Sequence, residues 1–330
     1  MNARENTQMK NTLTVVPITL KSSWRAVCRR FQGQPRRRSS LRPALTALLL
    51  APLTPLPVWA EPPFIAERQE GLKLVQSGKH AEAAAFFVKL ADTAAKPEQK
   101  ADALSHAALA TARNRQIDEA LLLAERIPLK PESHFARIQI YLEARKWAEL
   151  LKATEILDAA TWPDSLIYPT FMARARAHSA LGEMELAESD ALQAVKHTIS
   201  LNNQAAAWHL IAQNAQRAGK DGSKALEAYA EMIRLQPGGG GLQRALSERA
   251  RLLSSLGKHD AALADLAELD KNTRNDPHWI CTALMAYGDV HRDRGDKAKA
   301  RQSFEDAAKV PGAPAVLLDE VQKRLAELQQ

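Results

Sequence analysis

Residues able to do chemistry are few in this sequence, and their spacing argues against a reaction. The nine histidines are scattered with no H-E-x-x-H pair, and the two cysteines, Cys28 and Cys281, lie far apart, so no metal-ligand spacing is present. No G-x-S-x-G elbow or spaced triad occurs. Four consecutive glycines, Gly238 to Gly241, lack the preceding strand and following Lys-Ser/Thr of a phosphate cradle, and read as a flexible joint. His209 and His291 read as ordinary polar residues on helix surfaces. Cys281, beside Trp279 and Ile280, reads as a buried or half-buried structural thiol. No catalytic residue, metal or cofactor is expected.

The elements that would carry a binding surface are clearer. The chain holds 59 alanines, and aromatic residues make up only 5% of it, a composition that favours helix over strand. Short turns recur at Gly78, Arg115, Arg145, Gly182, Gly219, Gly257 and Gly295, at intervals of 37, 30, 37, 37, 38 and 38 residues. After each turn comes an alanine-centred apolar stripe in register: Ala83, Phe87, Leu90 and Ala91 in the first unit, Ala225, Tyr229, Met232 and Ile233 in the fifth, Ala300, Phe304, Ala307 and Ala308 in the last. The offsets i, i+4, i+7, i+8 define one face of a helix. A second helical stretch precedes each turn, and prolines at 97, 131, 237, 277 and 311 close units. Each unit is therefore a helix, a tight turn and a helix. A lone pair cannot bury its apolar faces, so the units must stack.

These residues resemble the tetratricopeptide repeat family. In the last unit Leu284, Gly288, Gly295, Ala300, Phe304, Ala307 and Pro311 match the family's signature positions or fall one from them; in the fifth Trp208, Ala212, Gly219, Ala225, Tyr229 and Pro237 do so with one extra residue in the turn. The first unit keeps Gly71, Gly78, Ala83 and Phe87, whereas Ala108 and Ile138 replace the small Gly in units two and three. The resemblance covers roughly residues 61–310 and implies an all-α, right-handed superhelix (α-solenoid) of about seven stacked helix-turn-helix repeats. Residues 315–330 form an amphipathic C-terminal capping helix with Val316, Leu317, Val321, Leu325 and Leu328 toward the array.

Members of the family usually present the first helix of each pair to a groove. Alignment on the turns assigns Arg176, Gln213, Arg217, Arg251, Asp289, Arg292 and Asp293 to that inner face. The resemblance thus implies a protein or peptide partner, with four arginines able to fork to its carboxylates; these charges could equally be solvated and paired with nearby acids. An exported helical superhelix also forms the bulk of some soluble lytic transglycosylases, whose catalytic domain opens with a Glu-Ser pair. Here Glu188-Ser189 lies inside a helical stretch, LAESDALQAV, with no GLMQ-like segment after it, so that enzyme, or a peptidoglycan- or polysaccharide-handling accessory protein, is the alternative reading.

The formal charge of +7 points to nucleic acid until it is located. Residues 1–60 carry ten Lys/Arg and one acid, which leaves residues 61–330 with 35 basic and 37 acidic residues, a net of −2. No nucleic-acid partner is expected of the folded part. The same basic stretch precedes the apolar run ALTALLLAPLTPLPV, residues 44–58, and then Val58 and Ala60 stand at minus three and minus one of a cleavage site before Glu61. That run spans roughly 22 Å at ~1.5 Å per residue and contains three prolines, so it is too short for a membrane helix. A long n-region with a cleavable signal peptide in residues 1–60, a mature chain over 61–330 and a periplasmic or secreted destination are expected, without stable membrane insertion. Arg37-Arg38-Ser39-Ser40-Leu41 partly resembles a twin-arginine export motif, and general secretion is the preferred route. The expected role is a non-catalytic interaction scaffold or adaptor in the cell envelope.

Overall fold

The computed structural model describes residues 63–156, 161–219, 222–236 and 238–328. The export signal read in residues 1–60 and the closing proline at 237 lie outside them. Among the described residues there are fifteen helices and no strand. Fourteen of the helices form seven pairs: α1 (Pro63–Gln76) with α2 (His80–Thr93), α3 (Pro97–Arg113) with α4 (Ile117–Glu125), α5 (Lys130–Glu143) with α6 (Trp147–Thr154), α7 (Asp164–Leu181) with α8 (Met184–Lys196), α9 (Leu201–Arg217) with α10 (Ser223–Leu235), α11 (Gly240–Ser255) with α12 (His259–Asn272), and α13 (Pro277–Asp293) with α14 (Lys297–Ala308). Helix α15 (Ala315–Glu327) follows the last pair.

Every expected turn residue stands at positive φ. The glycines at 78, 182, 219, 257 and 295 have φ between 66° and 87°, and Arg115 and Arg145 adopt 65° and 54°. At Gly295 the reason is visible in the backbone: Asp296 N–H reaches back to His291 C=O at 2.8 Å and Gly295 N–H to Arg292 C=O at 2.9 Å, a left-handed cap that satisfies the last carbonyls of α13. Gln116 and Lys146 close their turns the same way on Thr111 and Tyr141, so the arginines before them fill a glycine's role. The short interval of 30 residues between Arg115 and Arg145 follows from α4 and α5, which are only 9 and 14 residues long. Of the four glycines, Gly240 and Gly241 are the first residues of α11, and Gly238 and Gly239 precede it.

Packing follows a fixed rule along the array. Each second helix lies against its own first helix and against the first helix of the next pair, while the first helices touch one another in sequence, α1 to α3 and onward to α13 and α15. Among the described residues the backbones of the second helices do not approach one another, and α8 and α10 meet through the long side chains of Glu188 and Lys224. The row whose members remain in contact has the smaller radius, so the first helices line the inside of the curve. The core accordingly runs as a chain of five buried clusters, each shared between adjacent units.

Within a pair, size is matched between two buried positions sixteen residues apart. Gly71 faces Phe87 and Gly288 faces Phe304: a Cβ built at these glycines would stand 2.6 Å and 2.3 Å from the rings. The same register holds Ala108 with Ala124, Ile138 with Thr154, Ala175 with Ala191 and Ala250 with Leu266, and one residue more separates Ala212 from Tyr229; all ten are at most 2% exposed. Where the first helix carries a large residue, as at Ile138, the second offers a small one. Helix α15 seats Val321 and Leu328 in the last cluster, with Leu317 and Leu325 half-buried against it. Val316 differs from its expected place and is 78% exposed. It lies five residues from Val321, about 140° around the helix from the apolar stripe.

Candidate functional site: the inner row of first helices

Four of the residues assigned to the groove share one register, six residues before the turn: Arg176 on α7, Gln213 on α9, Arg251 on α11 and Asp289 on α13. Arg217 and Asp293 lie two residues before their turns and Arg292 three. The structure divides the set into two halves with different electrostatics.

In the first half, Arg176 is exposed and has no ion-pair partner among the described residues, and Gln213 is half-buried. Arg217 leans back across the seam between units, and its Nη1 donates to Ser179 Oγ at 3.3 Å. Ser179 in turn donates to Asn214 Oδ1 at 2.6 Å, so the guanidinium is steered by a buried polar pair linking α7 to α9. Ser179 is three residues from Arg176, one turn along the same helix. Two cations therefore lie along α7, Arg176 from the helix itself and Arg217 reaching it from α9.

In the second half the expected open row of arginines is closed by acids. Asp289 is not a surface group: it is 6% exposed and accepts from Arg324 Nε at 2.9 Å, with Arg292 Nη1 at 3.1 Å and Arg251 Nε at 3.8 Å. Asp293 accepts from Ser254 Oγ at 2.8 Å and lies 3.2 Å from Arg292 Nη2. Arg251 and Arg292 are thus paired with acids within the protein. The physical cause is α15, which enters the row where another first helix would stand and supplies Arg324 and Glu320. Burial works against the Arg324 charge, but Asp289 and Glu320 more than restore it and raise its pKa. The hydrogen bond from Arg324 likewise holds the Glu320 carboxyl below its usual range.

Further polar groups on these walls are structural. Arg174 forks to Asp190, and Arg249 to Asp265 through two bonds of 2.7 Å; each pair ties a first helix to its second through an aspartate at most 8% exposed. His209, read as an ordinary surface residue, joins units five and six: its Nε2 lies 2.8 Å from Glu248 Oε2, which also accepts from the buried Tyr229 hydroxyl at 3.0 Å. Burial pushes the Glu248 carboxyl up, and the bonds from His209 and Tyr229 outweigh it, leaving it below the usual range. The Tyr229 hydroxyl is raised by burial and by Glu248. Cys281 is fully buried, its thiol raised by desolvation and directed at Ala307 C=O. Glu188 pairs with Lys224 at 2.7 Å in the middle of α8, so a Glu-Ser catalytic pair finds no support there. Among the described residues no group of His, Cys, Asp or Glu is arranged to hold a metal ion. No described helix is long and apolar enough to cross a membrane.

No family model matches this sequence, and no curated protein matches it. Solved structures do. The C-terminal part of a TPR repeat-containing protein from Cytophaga hutchinsonii is similar at 15% identity with a TM-score of 0.50, over 76% of this chain and 98% of that one. A tetratricopeptide repeat protein from Parabacteroides merdae is similar at 15% identity with a TM-score of 0.47, over 80% of this chain and 98% of that one. At such identity the likeness speaks of fold. The described chain is an all-α solenoid with the tetratricopeptide repeat fold.

Proposed function

We propose that the chain is a non-catalytic interaction scaffold that works outside the cytoplasm, in the cell envelope, and takes a protein or peptide partner on the inner row of first helices. The observation that carries this reading is the placement of Arg217 against α7, the helix that carries the exposed Arg176, where Ser179 holds it at 3.3 Å. A guanidinium offers paired donors to a carboxylate, and two of them along one helix suit an acidic segment or a chain terminus of a partner. Gln213, in the Arg176 register one unit on, can meet the partner's backbone. The net charge of −2 over residues 61–330 speaks against nucleic acid. Export rests on the order of basic stretch, apolar run and Val58-x-Ala60.

The test introduces a photo-crosslinking residue at Gln213 in the full chain and compares capture in envelope extracts with and without Arg176→Glu/Arg217→Glu. The reading expects partner bands that vanish in the charge-reversed protein while its circular dichroism stays helical, because exposed positions carry little stability. Unchanged capture by the folded double variant sinks the groove assignment. Terminal sequencing of the exported protein should find Glu61 first, and an intact N-terminus at Met1 would remove the export part.

A further inference from the structure

Helix α15 completes the core as a cap, yet its polar side does something the apolar stripe does not require. Asp289 serves three guanidiniums, those of Arg251, Arg292 and Arg324. Asp293, 3.2 Å from Arg292 Nη2, adds a second carboxylate from α13, and two carboxylates still leave one of the three cations to be met by further acids. Helix α15 supplies them from the solvent side: Glu320 accepts from Arg324 Nη1, and Glu327 Oε2 lies 3.9 Å from Arg292 Nη1. Their side chains are 44% and 63% exposed. These residues border an open concavity of about 300 Å³ at the end of the inner row. Arg251 Nε is buried there without a hydrogen-bond partner, so the cluster keeps unused donor capacity.

The geometry points to α15 as an internal acidic ligand: Glu320 and Glu327 hold the C-terminal end of the groove closed, and an acidic segment of a partner reaches Arg251 and Arg292 only by displacing them. The inference rests on the groove reading above. Displacement does not require α15 to leave. Val321 is fully buried and anchors the helix body, while Glu320 is half-buried and Glu327 exposed, both on flexible stems. Competition is intramolecular, with an effective concentration in the millimolar range for a short tether, so weak acidic partners are refused at this end and directed to Arg176 and Arg217.

The experiment uses the full chain and a fluorescent hexaglutamate peptide, with anisotropy read at low ionic strength. Glu320→Gln/Glu327→Gln should bind the peptide about two- to tenfold more tightly than the unaltered chain, the range expected for releasing two exposed ion pairs. Asp319→Asn removes a charge from the same helix outside the concavity and should bind like the unaltered chain. Adding Arg292→Gln to the glutamine pair should abolish the gain. Circular dichroism confirms that each protein is folded. Equal affinity of the glutamine pair and the unaltered chain overturns the inference, as does an equal gain from Asp319→Asn. If Arg176→Gln/Arg217→Gln abolishes peptide binding while the glutamine pair changes nothing, the groove reading survives and the internal ligand falls. If the peptide binds none of these proteins, both fall.

Discussion

Gly288 lies so close to Phe304 that a Cβ on the glycine would stand 2.3 Å from the ring edge. Two effects of opposite sign meet at this position. Alanine is better than glycine inside a helix by about 1 kcal/mol, whereas forcing a methyl into a filled core costs roughly 1–3 kcal/mol.

The steric term should win at Gly288. Gly288→Ala is expected to destabilise the protein in urea melts, and the same change on a Phe304→Ala background should stabilise it, because the ring is gone. Phe304→Ala alone should cost about 3–5 kcal/mol locally. In a chain of shared clusters, hydrogen exchange should then rise in α13 to α15 well before α1 to α4. A negative Gly288→Ala effect that persists without the ring would show that the contact is not its cause.

Arg115 and Arg145 sit in left-handed turns at φ 65° and 54°, exposed to solvent. For a residue with a Cβ that conformation costs about 1–2 kcal/mol. Arg115→Gly and Arg145→Gly should each stabilise the array by about 1 kcal/mol, part of the gain being offset by glycine's greater freedom when unfolded. A loss of stability in both would mean that these arginines contribute something other than backbone geometry.

His106 stacks on Phe87 with centroids 4.9 Å apart and lies 3.1 Å from Arg68 Nη2, which can only donate, so the facing ring nitrogen accepts. Burial lowers its pKa below 6.5, the charge of Asp102 opposing and those of Arg68 and Arg113 reinforcing the shift. With the folded value below the unfolded one, the ring's contribution to stability is fully present above pH 6.5 and is lost as the pH falls through the depressed value. His106→Asn should flatten the acid limb of a stability-against-pH curve for the first units, followed by exchange in α2 and α3. An unaltered slope would assign that limb to His134 and His291, which burial also lowers.

Turns and helix faces were readable in the chain because both depend on neighbours in sequence: a left-handed cap marks itself by spacing even when, as at Arg145, glycine is absent. The inner register was readable for the same reason, and Arg176, Gln213, Arg251 and Asp289 do share it. What escaped is the partner of each charge. Whether Asp289 faces a groove or three guanidiniums depends on where α15 docks, and that is set by the burial of Val321 and Leu328 against units before it. A single signal was present: Arg324 follows Asp289 by 35 residues, close to one repeat. His209 escaped likewise, since Glu248 is 39 residues away on the next first helix.

An array of similar hairpins runs a risk that a globular core does not, since any first helix can try to zip with the second helix of a stranger. The matched sizes across each pair guard against such errors. Were α5 to close on α14, Ile138 would meet the ring of Phe304 in a space that accommodates it only beside a glycine, and α13 closing on α6 would leave Gly288 opposite Thr154 with a hole between them. The sixteen-residue register should therefore disfavour mismatched closure, and exchange of helices between copies of this chain is expected only among pairs of equal size, such as α3 with α4 and α7 with α8.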